Sequence, residues 1–145
     1  MIVLLQRVRE ASVSVDGRVT GAVGRGLLAF ICGEPGDAPE TAKKLAAKTA
    51  KLRIFEDDAG KMNRSVRDIG GDVLCVSQFT LAADTRSGNR PSFSTAASPA
   101  EGRAAYEAFV AAVREEGFSA PTGEFGADMK VALVNDGPAT FILRL

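Results

Sequence analysis

Asn135-Asp136-Gly137-Pro138-Ala139-Thr140 separates two apolar runs near the C-terminal end, residues 129–134 and 141–143. Strand-like runs on either side of Asn-Asp-Gly predict a β-hairpin. Pro138 directly follows the turn glycine, and a proline cannot donate to a sheet ladder. The segment is expected to form a rigid corner whose carbonyls point outward.

The rest of the chain alternates between strand-like runs and two helical stripes. Residues 2–9, 11–15 and 18–23 read as strands, the last two joined by Asp16-Gly17. Residues 27–32 are uninterruptedly apolar, which predicts a central strand. A first helix follows Gly33-Glu34-Pro35-Gly36. Asp37 is its expected N-cap, with Pro39 in the first turn and Glu40 completing a capping box. Ala42, Leu45, Ala46, Thr49 and Leu52 form its inward stripe. Lys44, Lys48 and Lys51 share another face, either a solvated surface or a contact for RNA phosphates. Arg53-Ile54-Phe55 and residues 63–66 are short strand candidates, and residues 72–79 form the next strand. A long polar loop, residues 83–98, is of the kind that carries function. The second helix starts with Ser98 as N-cap, Pro99 at the first position and Glu101 at the third. Tyr106, Phe109, Val110 and Val113 are its buried stripe, and Gly117 its stop. A single α/β domain over residues 1–145 follows. It is a three-layer β/β/α fold in which two packed sheets carry both helices on one side.

Composition narrows the chemistry. The chain has no histidine, so no Ser-His-Asp or Cys-His couple and no histidine metal ligand can form. Cys32 and Cys75 sit inside apolar runs, where a thiol behaves as a small hydrophobe. A thiol-dependent hydrolase built on Cys75, three residues before Gln78, is a rival that alkylation would test. The acidic cluster Glu56-Asp57-Asp58 lacks the ligand spacing of a calcium loop. Neither a metal nor a cofactor is expected. Lys plus Arg and Asp plus Glu each total 18, which argues against a generic nucleic-acid binder but leaves recognition of one RNA end open. Residues 1–5 have no basic n-region before them and are too short for a signal peptide. No run approaches the ~20 apolar residues of a membrane span. The chain is expected in the cytoplasm, away from membranes.

The chain resembles the bacterial D-aminoacyl-tRNA deacylases, also called D-tyrosyl-tRNA deacylases. The resemblance rests on Leu5-Gln6-Arg7-Val8, Leu52-Arg53-Ile54-Phe55-Glu56-Asp57 and Gly60-Lys61-Met62-Asn63. It continues through Val76-Ser77-Gln78-Phe79-Thr80-Leu81, Ala83-Asp84-Thr85-Arg86 and Arg90-Pro91-Ser92-Phe93. Phe125-Gly126-Ala127-Asp128-Met129-Lys130-Val131 and the Asn135 to Thr140 segment complete it. It implies a homodimer that hydrolyses the ester between a D-amino acid and the tRNA 3′ end. Ser77, Gln78, Phe79 and Thr80 are then the expected catalytic segment. Gly137 and Pro138, joined by a cis peptide, are expected to reject L-amino acids in the partner's site. Arg7, Met129, Asn135 and Thr140 are expected to contact substrate. A non-catalytic dimer module that binds an RNA end is the alternative.

An aminoacyl ester is already reactive, so the need is to stabilise an oxyanion and hold a water. Backbone amides do the first, at about 3–4 kcal/mol per donor, and those of Phe79 and Thr80 are the candidates. Thr80 is either a nucleophile lacking an obvious base or a hydroxyl that positions water. The tRNA's terminal 2′-hydroxyl lies beside the ester and can assist. A wall of carbonyls at Gly137 and Pro138 leaves room for hydrogen but none for an L-side chain. Glycyl-tRNA should therefore be cleaved too.

Overall fold

The first strand sets the architecture. In the computed structural model, which describes residues 1–145, β1 runs unbroken over Ile2–Val15, joining the two runs expected as separate strands. Val3 and Leu5 belong to a core of 20 buried residues. Val8, Ala11 and Val13 belong to a second core of six. Strand side chains alternate between faces, so Leu5 and Ala11 should share one; they do not. The face changes near Arg9 and Glu10, where the pairing with the last strand also slips register. A bulge bends and twists a strand in this way.

One edge of β1 is shared between two strands. β3 (Gly26–Cys32) pairs with its first half, Ile2↔Cys32 to Val8↔Gly26. β2 (Arg18–Val23) pairs with its second half. β6 (Asp72–Ser77) continues the sheet parallel to β3, from Gly26↔Asp72 to Ile31↔Ser77. β7 (Lys130–Arg144) lines the other edge of β1. β4 (Phe55–Glu56) and β5 (Met62–Arg64) form a separate two-stranded ribbon. The two sheets expected from the sequence are thus a five-stranded sheet, curled on the bulge of β1, and a small two-stranded one.

Both faces of the central strands are buried, which is why residues 27–32 carry no alternation. Leu27, Ala29, Ile31, Val73 and Cys75 face the large core; Leu28, Leu74 and Val76 face the small one. α1 (Pro39–Lys51) and α2 (Pro99–Glu115) cover the large core with Ala42, Leu45, Ala46, Tyr106, Phe109 and Val110. No helix is long and apolar enough to cross a membrane.

The C-terminal hairpin does not form. Both apolar runs lie in β7, run in the same direction and pair antiparallel with β1: Val131↔Val13 and Leu133↔Ala11, then Phe141↔Leu5 and Leu143↔Val3. Residues 136–139 loop out opposite Arg7. A strand of 14 residues offers one edge long enough for both runs, and each buries an alternate face on it. The cap of α1 also differs. Its N-cap is Ala38, with no side-chain bond. The Asp37 carboxylate instead accepts from the Met1 ammonium (2.8 Å) and from the Glu34 amide (2.7 Å). An ion pair to an ammonium outweighs a cap worth about 1 kcal/mol. The Ser98–Glu101 capping box of α2 forms as expected.

Candidate active site

β6 ends at Ser77, and the chain turns sharply there. The Gln78 amide still donates to Ile31 O (2.8 Å), one step beyond the parallel ladder. Phe79–Ala82 then winds into a single 3₁₀ turn. Within it, the Leu81 amide is the first to bond back, to Gln78 O (3.2 Å). The amides of Phe79 and Thr80 open the turn, where N–H groups have no partner in the helix itself. The Thr80 hydroxyl accepts from Gln78 Nε2 at 2.5 Å and meets no carboxylate or amine. The Phe79 ring is 62% exposed and tilts against Phe93, centroids 5.1 Å apart.

An open pocket of about 360 Å³ lies beside this turn. Ile31, Cys32 and Gly33 form its floor, and Ser77, Phe79 and Phe93 one wall. The start of α2 (Ser98, Pro99, Gly102) and Phe125-Gly126 close it. Gly33 is needed for this closeness, because a Cβ there would stand 2.7 Å from the Ala105 Cβ on α2. Phe125 is fixed between Tyr106, at 5.9 Å between centroids, and Arg103, whose guanidinium carbon lies 4.6 Å from its ring centre. The pocket is mostly apolar, aromatic-walled and edged by backbone amides. It can take a planar ring and stabilise negative charge on an oxygen beside it.

The second group of expected site residues gathers elsewhere. Arg7 is only 6% exposed. Its Nε donates to Asp136 O (2.7 Å) and its Nη1 to Ile54 O (2.6 Å). Asn135 accepts the Ala139 amide (2.8 Å) and donates to the Thr140 hydroxyl (2.9 Å), to which Gln6 also donates (3.2 Å). These bonds close the neck of the excursion and leave Gly137 and Pro138 exposed at its tip. The Gly137-Pro138 peptide is cis, and Gly137 has φ +135°. A Cβ on Gly137 would collide with the Arg7 guanidinium. Arg7, expected to contact substrate, faces its own chain's carbonyls. Met129, with the same expectation, packs against the small core.

The pocket and the corner stand apart on one chain. Arg7 pairs with Leu27 at the start of β3, and Ser77 pairs with Ile31 near its end. Four residue steps separate them by about 13 Å along the strand direction alone. The lining at Phe125 and the start of α2 escaped the sequence reading, since only folding brings it to Phe79. Phe93 lay in the loop singled out for its length.

Three comparisons bear on this arrangement. The family described as D-Tyr-tRNA(Tyr) deacylase matches residues 4–144. A D-aminoacyl-tRNA deacylase of Ruegeria pomeroyi is 63% identical over 140 residues, covering 97% of each chain. One from Azoarcus sp. is 57% identical over 145 residues, all of this chain and 96% of its own. A solved structure, the c-Myc DNA Unwinding Element Binding Protein, superposes with a TM-score of 0.92 at 36% identity, covering 100% of this chain and 99% of its own.

Both cysteines are free thiols in buried surroundings that disfavour the thiolate. Cys75 lies in the large core, where burial, aided by the charge of Asp72, pushes its thiol up to about 12. Cys32 is also pushed up, by burial and then by Glu34. Its Sγ donates weakly to Gly33 O and Phe79 O, each at 3.5 Å. A thiolate is the reactive form. Native protein incubated with iodoacetamide at pH 8 should therefore keep its hydrolytic activity and show less than one modified thiol per chain by mass. Rapid stoichiometric alkylation with loss of activity would restore the thiol-dependent reading.

Proposed function

The chain belongs to the D-Tyr-tRNA(Tyr) deacylase family, and from that premise we propose a chirality filter assembled from two copies of it. The protein is a D-aminoacyl-tRNA deacylase, hydrolysing the ester that joins a D-amino acid to tRNA. The observation that carries the proposal is the separation just described. The braced, exposed corner takes no part in the aromatic pocket of its own chain, and that pocket is open to solvent. A two-fold dimer supplies each pocket with the other chain's Gly137 and Pro138. The unpaired edge of β7, with Val134 and Ile142 exposed on the strand, supports association.

In this reading the terminal adenine lies against Phe79 and Phe93, since aromatic walls accept any base face. Ser77 and Gln78 orient the substrate's amine and ester. Water attacks the carbonyl carbon, and the amides of Phe79 and Thr80 receive the developing oxyanion. The C–O bond to the ribose then breaks, the ribose oxygen takes up a proton, and the free D-amino acid leaves. The adjacent 2′-hydroxyl helps to handle the water's proton. Thr80 positions rather than attacks, because its oxygen already accepts from Gln78 and has no base beside it. Arg7, Asn135 and Thr140 act through the corner by holding its carbonyls in place. The reaction serves translation, in the cytoplasm.

Three measurements test these assignments. Light scattering of active protein should read the mass of two chains; a fully active monomer removes the shared site. Thr80→Ala should keep measurable turnover, whereas replacing the terminal 2′-hydroxyl by hydrogen should cost more, and the opposite ranking would make Thr80 the nucleophile. The sharpest test compares glycyl-, D-alanyl- and L-alanyl-tRNA in single turnover. A carbonyl wall excludes a side chain rather than a stereocentre, so glycyl-tRNA should be cleaved like the D-ester and L-alanyl-tRNA spared. If glycyl-tRNA resists as L-alanyl-tRNA does, the site must bind the D-side chain positively and the wall is wrong.

A further inference from the structure

Arg9, Arg25 and Asp136 line a recess of about 290 Å³ beside the Gly137-Pro138 corner. Neither arginine forms an ion pair, although most other arginines of the chain do. Arg25 is steadied instead by the Phe55 ring, 5.8 Å from its guanidinium carbon. The carboxylate of Asp136 shares the recess without pairing, so two cations face one anion and the balance is positive. A second observation points the same way. Between Glu40 and Glu56 the chain carries Lys43, Lys44, Lys48, Lys51 and Arg53 and no acid. The bond from Arg7 to Ile54 O fastens the end of that segment to the corner. In a chain of zero formal charge, two unpaired arginines and the end of an acid-free basic segment thus lie beside the one feature proposed to enter another subunit's site.

We propose that this recess is a phosphodiester-binding site for the 3′ strand of the substrate tRNA, with Arg9 and Arg25 as its cations. The proposal rests on the deacylase reading above. A corner that reaches the ester at the RNA end brings its flanking arginines to the last phosphates of that strand. Guanidinium groups suit this task because their paired N–H donors match two phosphate oxygens. A chain without general nucleic-acid affinity would in this way hold one short stretch of RNA.

The test compares D-tyrosyl-tRNA with 3′-O-(D-tyrosyl)adenosine, which has the ester but no phosphate. The variants are the double substitutions R9Q/R25Q and R9K/R25K in the full chain. With R9Q/R25Q, kcat/KM for the tRNA should fall at least tenfold more than for the adenosine ester, with the loss in KM. Between about 50 and 200 mM salt, the slope of log kcat/KM against log salt should become shallower by more than one, at ~0.7 per single-strand phosphate. R9K/R25K should restore most of that slope. Equal losses on both substrates would mean that the arginines only support the fold, and an unchanged KM and slope would mean a solvated surface. Either result overturns the proposal, as does phosphate binding in the recess with no effect on the tRNA. A wild-type chain that cleaves neither D-ester removes the deacylase reading itself, and the recess proposal with it.

Discussion

A guanidinium buried in the middle of β1 has no carboxylate to answer it, and the site is arranged around that fact. Removing a charge from water costs several kcal/mol unless hydrogen bonds replace the lost hydration. Arg7 obtains them from two backbone carbonyls, Asp136 O and Ile54 O. Asp136 O is free to accept only because β7 leaves the ladder opposite Arg7. The excursion of β7 and the burial of Arg7 therefore require one another. Ile54 lies in the link from α1 to β4, so one side chain fastens that link and the β7 corner to β1. Arg7→Lys would keep the charge but not the fork, and a single ammonium cannot match both directions.

The same geometry explains why the C-terminal segment misleads when read locally. Asn-Asp-Gly between apolar runs is a sound hairpin signal when each run's natural partner is the other. Here a third strand, more than 110 positions away in sequence, binds both runs. Nothing within residues 129–143 reveals that competitor. Asp37 fails for a related reason: its capping box is intact in sequence, but folding brings the Met1 ammonium to the carboxylate. Ser98 has no such rival, and its box forms. Local signals held where no long-range partner competed for the same atoms.

The site was legible in the same uneven way. The Ser77 to Thr80 segment could be placed at a strand end from the pattern of residues 72–79 alone. What faces it could not, because Phe125 and the start of α2 reach Phe79 only through the packing of α2 on β3. Arg7 and Met129 lie in motifs, and a motif marks a residue the fold needs without saying which atoms it meets. Arg7 meets backbone, and Met129 meets the small core. The local pattern marks Gly137 as a turn glycine and the resemblance marks it as part of the rejecting corner; its closest constraint in the fold is the guanidinium that leaves no space for a Cβ.

The absence of histidine, at first only an exclusion, becomes intelligible in this frame. The titratable side chains nearest the pocket's loop and helix are already committed to structure. Asp84 is held below the usual carboxylate range by its bond from Arg86, and Glu101 by its bond from Ser98. Both remain acceptors in structural bonds through the neutral range rather than proton carriers. What the pocket and the corner offer instead are amides and carbonyls fixed by strand ends and a braced excursion. Such dipoles do not titrate, need no reorganisation when charge develops, and keep their positions as well as the sheet keeps its register. A substrate that brings a reactive ester and a neighbouring hydroxyl asks little more of a protein. In the proposed dimer, the precision that the chemistry does not need is available for discrimination at the α-carbon, where one methyl group would meet fixed backbone.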